Sequence, residues 1–162
     1  SFFELVLNDA IDSDFSEINI TNSTFSNIGN DAIDFSGSKS YILKNNFKYV
    51  SDKCISVGEF SKVKISENQF HDSEISIVMK DGSLINSNLN EFKNNKLDYV
   101  LFIKKPIYGP PLIDEIIEDG NTRILIDSKV EIKDDKIKHL EVSKLKNVEA
   151  ILYGRKFGKS SK

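Results

Sequence analysis

Ile65-Ser66-Glu67-Asn68-Gln69-Phe70 is one copy of a pattern that returns along the chain at a nearly constant interval. The phenylalanine that closes the pattern recurs 22 or 23 residues apart, at Phe25, Phe47, Phe70 and Phe92. An isoleucine stands five residues before it at Ile20, Ile42 and Ile65, and an asparagine stands two before it at Asn45, Asn68 and Asn90, with Ser23 in the first copy. A pentapeptide also repeats unchanged after 22 residues, as Asn8-Asp9-Ala10-Ile11-Asp12 and Asn30-Asp31-Ala32-Ile33-Asp34. A fixed period of this length indicates a repeat architecture.

Each copy also contains a short segment in which apolar and polar residues alternate, which is typical of a strand with one buried face. The alternation predicts that Cys54 points outward and that these residues point inward: Ile33, Phe35, Ile55, Val57, Ile77, Met79, Val100 and Phe102. One such coil cannot bury its apolar side alone, so stacked copies must share a continuous core. The recurring asparagine fits a turn, because Asn tolerates a left-handed backbone and can bond the Asn of the next coil.

These features predict an all-β fold, a single-stranded right-handed parallel β-helix with about 22 residues per coil and irregular C-terminal coils or a cap. A β-sandwich would need hairpin turns and no fixed period, and an α-solenoid is disfavoured because β-branched, Asn and Ser residues are weak helix formers. We expect one domain over residues 1–162, with regular coils over 8–109, less regular coils or a cap over 110–153 and a basic tail over 154–162. Since the chain opens in mid-repeat, we expect it to be a fragment of a longer protein.

Composition and charge disfavour some classes of protein and of partner. Hydrophobic residues make up 39% of the chain and charged residues 29%, which is typical of an ordered domain. The formal net charge of -3 does not favour nucleic acid as a partner, and no apolar run approaches the roughly 18 residues that a membrane-spanning helix needs. Residues 1–103 hold 15 acidic and 9 basic residues, whereas 104–162 hold 13 basic and 10 acidic. The regular coils are therefore the acidic half of the chain.

Several segments within residues 8–109 carry a family resemblance: Asp12-Ser13-Asp14-Phe15, Gly29-Asn30-Asp31-Ala32-Ile33-Asp34-Phe35-Ser36-Gly37-Ser38, Ser51-Asp52-Lys53-Cys54-Ile55-Ser56-Val57-Gly58-Glu59, Lys80-Asp81-Gly82-Ser83, and Lys104-Lys105 with Tyr108-Gly109. They resemble the pectin-lyase-like class of right-handed β-helix proteins, and within it a group of uncharacterised bacterial proteins, some associated with spore-coat-kinase-like domains. The resemblance implies the β-helix fold and, for a pectate-lyase-like enzyme, an arginine base. The chain departs from this pattern, because Arg123 and Arg155 lie outside the regular coils and Cys54 stands where the resemblance implies a glycine.

The repeat turns sequence offsets into contacts, because residues one coil apart in a parallel sheet lie about 4.8 Å from each other. Asp12 is expected over Asp34, with Asp14 roughly 7 Å from Asp12 along the strand. Ser56 continues the Asp34 column, and Lys53 continues the column of Asp9 and Asp31. Two carboxylates about 5 Å apart repel by about 3 kcal/mol at an effective dielectric near 20, so the pair must raise one pKa, bind a cation or spread into water.

Three functional hypotheses follow. The first is a non-catalytic module that recognises a polysaccharide or cell-surface glycan through an acidic Asp/Lys face, with these binding residues: Asp14, Asp31, Asp52, Glu59, Lys80 and Asp81. The second is a Ca²⁺-dependent polysaccharide lyase, epimerase or hydrolase, with Asp12, Asp34 and Lys53 as catalytic residues and Asp12, Asp14 and Asp34 as ligands of Ca²⁺, the one candidate cofactor. A lysine would serve there as base only with a depressed pKa. The third is a structural spacer or adhesin element without a site.

Two further expectations concern surfaces and location. Tyr99, Leu101 and Ile103 should point outward and form an apolar stripe, unless residues 104–162 cover it, which is the interpretation we favour. Exposed coil faces offer surfaces for oligomerisation. A glycan partner implies an extracytoplasmic location, either secreted, periplasmic or on the cell surface.

Overall fold

The structure, a computed structural model, describes residues 1–118, 121–132, 137–138 and 140–155. The chain is almost all β and winds into a parallel β-solenoid of about six turns with about 22 residues per coil, which confirms the predicted fold class. Most of the predicted basic tail over 154–162 lies outside the described residues. Among the helices that the structure describes, none is long and apolar enough to cross a membrane.

Three parallel sheets form the walls, and each complete coil contributes one strand to each of them. Sheet 1 consists of β1 (Phe2–Glu4), β4 (Thr24–Ile28), β7 (Asn46–Val50), β10 (Gln69–His71) and β13 (Glu91–Lys93). Sheet 2 consists of β2 (Ile11–Asp14), β5 (Ile33–Ser36), β8 (Lys53–Gly58), β11 (Ile75–Lys80), β14 (Leu97–Phe102), β16 (Arg123–Asp127) and β18 (Glu141–Leu145). Sheet 3 consists of β3 (Glu17–Thr21), β6 (Lys39–Leu43), β9 (Lys62–Ser66), β12 (Leu84–Asn88), β15 (Leu112–Ile117) and β17 (Ile137–Lys138). The helical elements are a 3₁₀ turn (Pro106–Tyr108) and α1 (Val148–Leu152).

The phenylalanines form one internal column along sheet 1, as the repeat predicts. Neighbouring rings are nearly parallel, at interplanar angles of 2° to 7°, and their centroids lie 4.7 to 5.2 Å apart from Phe3 through Phe25, Phe47, Phe70 and Phe92. Stacked aromatic pairs are worth about 0.5 to 1.5 kcal/mol beyond the area they bury. The stacked rings and the backbone hydrogen bonds of sheet 1 therefore hold successive coils in the same register.

The recurring asparagines form a ladder in the turn between sheets 3 and 1. The Asn68 side-chain oxygen accepts the backbone N–H of Asn45 at 2.9 Å, and the Asn90 side-chain oxygen accepts that of Asn68 at 3.0 Å. The same amides donate back across the coil, for example from Asn68 to the Ile42 carbonyl at 3.0 Å. Each turn thus satisfies backbone groups that would otherwise be buried without partners.

In the second, third and fourth coils, the residues that point inward are those that alternation predicts. In the fifth coil, the prediction is wrong. Tyr99 and Leu101, predicted outside, belong to the main core, whereas Val100 and Phe102, predicted inside, lie on the outer face of sheet 2. The register pairs Ile77 with Tyr99, so the 22-residue offset determines which side chains of β14 point inward. Alternation could not determine this, because residues 99–102 are apolar at every position. Ile103 is half-buried and packs against the main core rather than forming part of an exposed stripe.

A second, smaller apolar cluster lies outside sheet 2. Val100 and Phe102 pack there with Ile75, Val78 and Leu125, and Val148 and Leu152 of α1 cover them. Residues 104–162 were expected to cover Tyr99, Leu101 and Ile103, but within this segment Leu125 and α1 cover Val100 and Phe102 instead. This helix also forms one side of the cleft described below.

Cys54 is the other correction to the predicted pattern. It is fully buried in the main core beside Ile55, so the chain turns at the start of β8 and two successive side chains point inward. Burial raises the pKa of its thiol to about 12, which leaves the sulfur protonated at neutral pH.

Candidate functional site

The outer face of sheet 2 changes from polar to apolar midway along the solenoid. The strand register places one column of outward residues in successive coils: Asp12, Asp34, Ser56, Val78, Val100 and Leu125. Asp12 lies in register with Asp34, and Ser56 continues the column, as the repeat predicts. Because α1 packs on the apolar half, the polar half stays open and a cleft forms at the boundary.

This hollow, the sheet 2 cleft, has a volume of about 190 Å³. It is lined by Asp9, Asn30, Asp31, Asp34, Asp52, Lys53, Lys80, Lys104, Leu152 and Tyr153. Most of these residues lie at the starts of sheet 2 strands or in the turns before them. Each is therefore stacked next to the residue at the same position of the neighbouring coil. Carboxylates, ammonium groups, one amide and a phenol therefore lie around one small volume.

A buried ion triad forms part of the wall. The Lys53 Nζ lies 3.2 Å from Asp31 Oδ1 and 2.8 Å from Asp52 Oδ2, and the three side chains are 4%, 7% and 9% exposed. Burial raises the pKa of Asp31 to about 7, although the Lys53 charge opposes this. Burial lowers the pKa of Lys53, but the two carboxylates more than reverse the effect, so the pKa lies above its ordinary value. Lys53 is thus a fixed cation rather than a base.

Lys80 and Asp34 face each other less closely. The Lys80 ammonium donates to Ser56 Oγ at 2.8 Å and lies 3.9 Å from Asp34 Oδ1. That carboxylate oxygen is buried and has no hydrogen-bond partner among the described residues. Gly58 makes room for the lysine, because a Cβ at this position would lie 2.8 Å from Lys80 Cε. Asp34 therefore lines the cleft with a side chain that is 29% exposed, and its buried Oδ1 is an acceptor that no described residue uses.

Lys104 and Tyr153 close the cleft on the side of α1. The Lys104 ammonium donates to the Tyr153 hydroxyl at 3.3 Å and lies 4.8 Å from the centre of its ring. Burial, and then the charges of Lys80, Lys53 and Lys105, lower the pKa of Lys104. Within the part of the chain that the structure describes, Lys104 forms no ion pair. Burial raises the pKa of Tyr153 to about 12.

Asp81, one of the predicted binding residues, positions Lys104 instead of lining the cleft. Its Oδ1 accepts the backbone N–H groups of Lys104 at 2.8 Å and Lys105 at 2.6 Å, and its side chain is fully buried. Glu59 also lies apart from the cleft lining and pairs with the Lys105 ammonium. Both acids therefore hold the loop that starts at Lys104.

The structure separates the predicted catalytic and metal-binding residues. Asp34 and Lys53 line the cleft, but Asp12 and Asp14 are exposed and do not. Partial burial raises the pKa of Asp12, and the carboxylates of Asp14, Asp34 and Asp9 add to this. The described residues contain no group of three acidic, His or Cys side chains that could hold a metal ion. The trio Asp12, Asp14 and Asp34 is therefore not assembled as a Ca²⁺ site.

Five cleft residues were not among the predicted site residues: Asp9, Asn30, Lys104, Leu152 and Tyr153. Lys104 could have been found from the repeat, since it lies two residues after Phe102, the register partner of Lys80. No sequence signal points to Tyr153, because α1 lies outside the repeat and reaches the cleft by packing across sheet 2.

The stacked three-sheet coils define a parallel β-solenoid with a polar cleft on its outer face. The chain belongs to the family described as right handed beta helix region, which residues 7–109 match. This fold occurs often in carbohydrate-related proteins. A comparison with curated proteins finds no significant match, and a comparison with solved structures finds none either.

Proposed function

We propose that this chain is a glycan-recognition module that binds a sugar of a polysaccharide or cell-surface glycan in the sheet 2 cleft, without chemical change to the glycan. One observation carries the proposal: among the residues that line the cleft, no hydrogen bond joins Asp34, Lys80 and Lys104 to one another. The Asp34 Oδ1 has no hydrogen-bond partner among the described residues and lies 3.9 Å from the Lys80 ammonium. Lys104 has the Tyr153 hydroxyl as its side-chain partner.

Such groups are suited to a ligand rich in hydroxyls. A buried polar atom without a partner costs free energy, so a ligand that supplies the missing hydrogen bond gains affinity. A sugar hydroxyl can donate to Asp34 and accept from a lysine at the same time. Tyr153 adds a ring with one polar end, a side chain that often contributes to binding sites because it combines apolar area with a hydrogen-bonding group.

The walls of the cleft are held in place before a ligand arrives. Lys53 is fixed by Asp31 and Asp52, and Lys104 is positioned through the contact of its backbone with Asp81. Preorganisation of this kind reduces the entropy lost on binding. A glycan ligand also supports an extracytoplasmic location, which we include in the proposal.

The test is a glycan panel screened against the wild-type chain, followed by titration of any bound glycan with variants. We expect Asp34→Asn and Lys104→Gln each to weaken binding about tenfold or more, because a hydrogen bond that involves a charged group is worth about 1.5 to 3 kcal/mol. Lys44→Gln is the matched control, since Lys44 is an exposed lysine outside the cleft that pairs with Glu67. Equal weakening in all three variants would contradict a site in the cleft, and so would the absence of any bound glycan. The latter result would leave a structural spacer or adhesin role.

One observation favours a second candidate, a polysaccharide lyase. In the elimination that a lyase performs, a base takes the proton from the sugar carbon next to a carboxylate, the electron pair forms a carbon–carbon double bond, and the bond to the linking oxygen breaks. The Lys104 amine, whose pKa is lowered, could take that proton, and the neighbouring Tyr153 hydroxyl could donate one to the leaving oxygen. Lys104→Arg separates the two functions, because arginine keeps the charge but does not lose its proton near neutral pH. Shortening of a polymer that is lost in Lys104→Arg while binding persists would establish the lyase. Binding without shortening in the wild-type chain supports the recognition module.

A further inference from the structure

A second and larger hollow lies on the outer face of sheet 3, on residues that take no part in the sheet 2 cleft. This hollow, the sheet 3 groove, is open, has a volume of about 430 Å³ and crosses five coils from β3 to β15. Its lining includes Lys39, Tyr41, Lys62, Lys64, Leu84 and Asn86, and two carboxylates, Glu17 and Asp114, lie at its opposite ends in β3 and β15. No part of the proposed function uses it.

The centre of the groove carries positive charges that the described part of the chain does not neutralise. Lys39 and Lys62 are direct neighbours in the register, as are Tyr41 and Lys64. Lys39 has an exposed partner in Glu17 at 3.7 Å, but neither the Lys62 nor the Lys64 ammonium forms an ion pair or a hydrogen bond with any described residue. Like charges placed directly opposite on neighbouring strands destabilise a sheet. An anion bound here would remove that repulsion.

The groove also offers groups that can bind an uncharged part of a ligand. One column runs in unbroken register through Asn19, Tyr41, Lys64 and Asn86. Tyr41 is 37% exposed, so a substantial part of its side chain is open to contact from outside. The column therefore consists of amide, aromatic ring, ammonium and amide in sequence, at intervals of about 4.8 Å, and the Asn86 amide also donates to Asp114 Oδ2 at 3.3 Å.

We propose that the sheet 3 groove binds an acidic linear polysaccharide, with a carboxylate or sulfate at Lys62 and Lys64 and the face of a sugar at Tyr41. The positive centre fits the anionic substituent, and the aromatic ring and the amides fit the sugar that carries it. An extended polymer fits better than a single small anion, because the binding groups are spread over successive coils rather than gathered at one point. The site is separate from the sheet 2 cleft and does not depend on the function proposed for it.

The experiment follows backbone amide shifts by NMR while a hyaluronan hexasaccharide, which carries carboxylates, is added to the wild-type chain. Maltohexaose serves as the neutral comparison. We expect shifts concentrated in β6, β9 and β12, and no comparable shifts with maltohexaose. Tyr41→Ala and the double variant Lys62→Gln/Lys64→Gln should each raise Kd about tenfold or more, which corresponds to about 1.4 kcal/mol or more.

The control is Lys44→Gln/Lys48→Gln, which removes the same charge from residues outside the groove. It should change Kd by less than about twofold, which is less than about 0.4 kcal/mol. An equal loss in both double variants would show attraction by net charge alone and overturn the proposal. Shifts confined to the sheet 2 cleft, equal binding of maltohexaose, or no binding of the acidic hexasaccharide would also overturn it. Lys104→Gln should leave binding in the groove unchanged, so failure of one site is distinguishable from failure of the other.

Discussion

The Glu118 carboxylate accepts the backbone N–H of Asn90 at 2.7 Å, and so ends the asparagine ladder at the point where the repeat loses its regular length. Glu118 also accepts hydrogen bonds from the Tyr99 hydroxyl at 2.6 Å and the Ser87 hydroxyl at 3.0 Å. It is buried, and its charge has no cationic partner within salt-bridge distance among the described residues. Burial raises the pKa of Glu118, although these hydrogen bonds oppose the effect.

The first prediction concerns pH. Because the pKa of Glu118 is higher in the folded than in the unfolded chain, its contribution to stability is fully present below the unfolded value near 4.5 and is lost as pH rises through the folded value. Glu118→Gln removes this titration and keeps the side chain's shape. We expect the free energy of unfolding of the variant, relative to that of the wild type, to increase as pH rises through this window. Urea unfolding of both proteins across pH measures the difference, and parallel curves would contradict the prediction.

The second prediction concerns the phenylalanine column. Phe47 is fully buried between Phe25 and Phe70. Phe47→Ala should lower the free energy of unfolding by about 3 to 5 kcal/mol, since the lost ring leaves a cavity that the stacked coils cannot close. Phe2→Ala is the control, because Phe2 is 81% exposed, and it should change stability by about 0.5 kcal/mol or less. Similar losses in the two variants would contradict the stacked column.

The third prediction concerns the ladder. Asn68→Ala removes the acceptor of the Asn45 backbone N–H and the donor to the Ile42 carbonyl. Each buried group left without a partner costs about 1 to 3 kcal/mol, so the total loss should be at least about 2 kcal/mol. Chemical denaturation measures the loss. A change below about 0.5 kcal/mol would show that water replaces the amide and that the ladder does not stabilise the turn.

The fourth prediction separates Lys53 from Lys104. Lys53→Met leaves the buried carboxylates of Asp31 and Asp52 without their cation and should cost about 3 to 5 kcal/mol. The deficit relative to the wild type should shrink as pH falls from about 8 to about 4, because burial raises the pKa of Asp31 to about 7 and its protonation removes one unpaired charge. Lys104→Gln should change stability by less than about 1 kcal/mol, since Lys104 forms no ion pair with a described residue. Thermal unfolding across pH measures both variants. A small, pH-independent effect of Lys53→Met would contradict the structural role assigned to Lys53.

The sequence predicted the repeat with its register, and predicted the site less completely, for identifiable physical reasons. A period of 22 residues is visible because each coil must supply the same inward side chains, so Phe47 and Asn68 could be assigned without coordinates. Pairs one coil apart, such as Asp12 and Asp34, follow from the same rule. The prediction of which of residues 99–102 point inward was wrong, because an entirely apolar segment shows no alternation. The 22-residue offset from Ile77 to Tyr99 would have predicted the correct inward residues.

The site needed the structure because its decisive groups come from different layers of the fold. Tyr153 reaches the cleft from α1, which follows no repeat. The direction of a pKa shift depends on burial and neighbours that sequence does not give, and so Lys53, predicted as a candidate base, is a buried cation, whereas the pKa of Lys104 is lowered. Asp81 was predicted to bind ligand but instead holds the backbone of Lys104 and Lys105.

The most direct test of the central claim is a crystal structure of the chain with a glycan taken from the panel screen. The account predicts an ordered sugar in the sheet 2 cleft, with one hydroxyl within hydrogen-bond distance of the Asp34 carboxylate and another near the Lys80 or Lys104 ammonium. An ordered sugar bound elsewhere, with the cleft filled only by water, would contradict it.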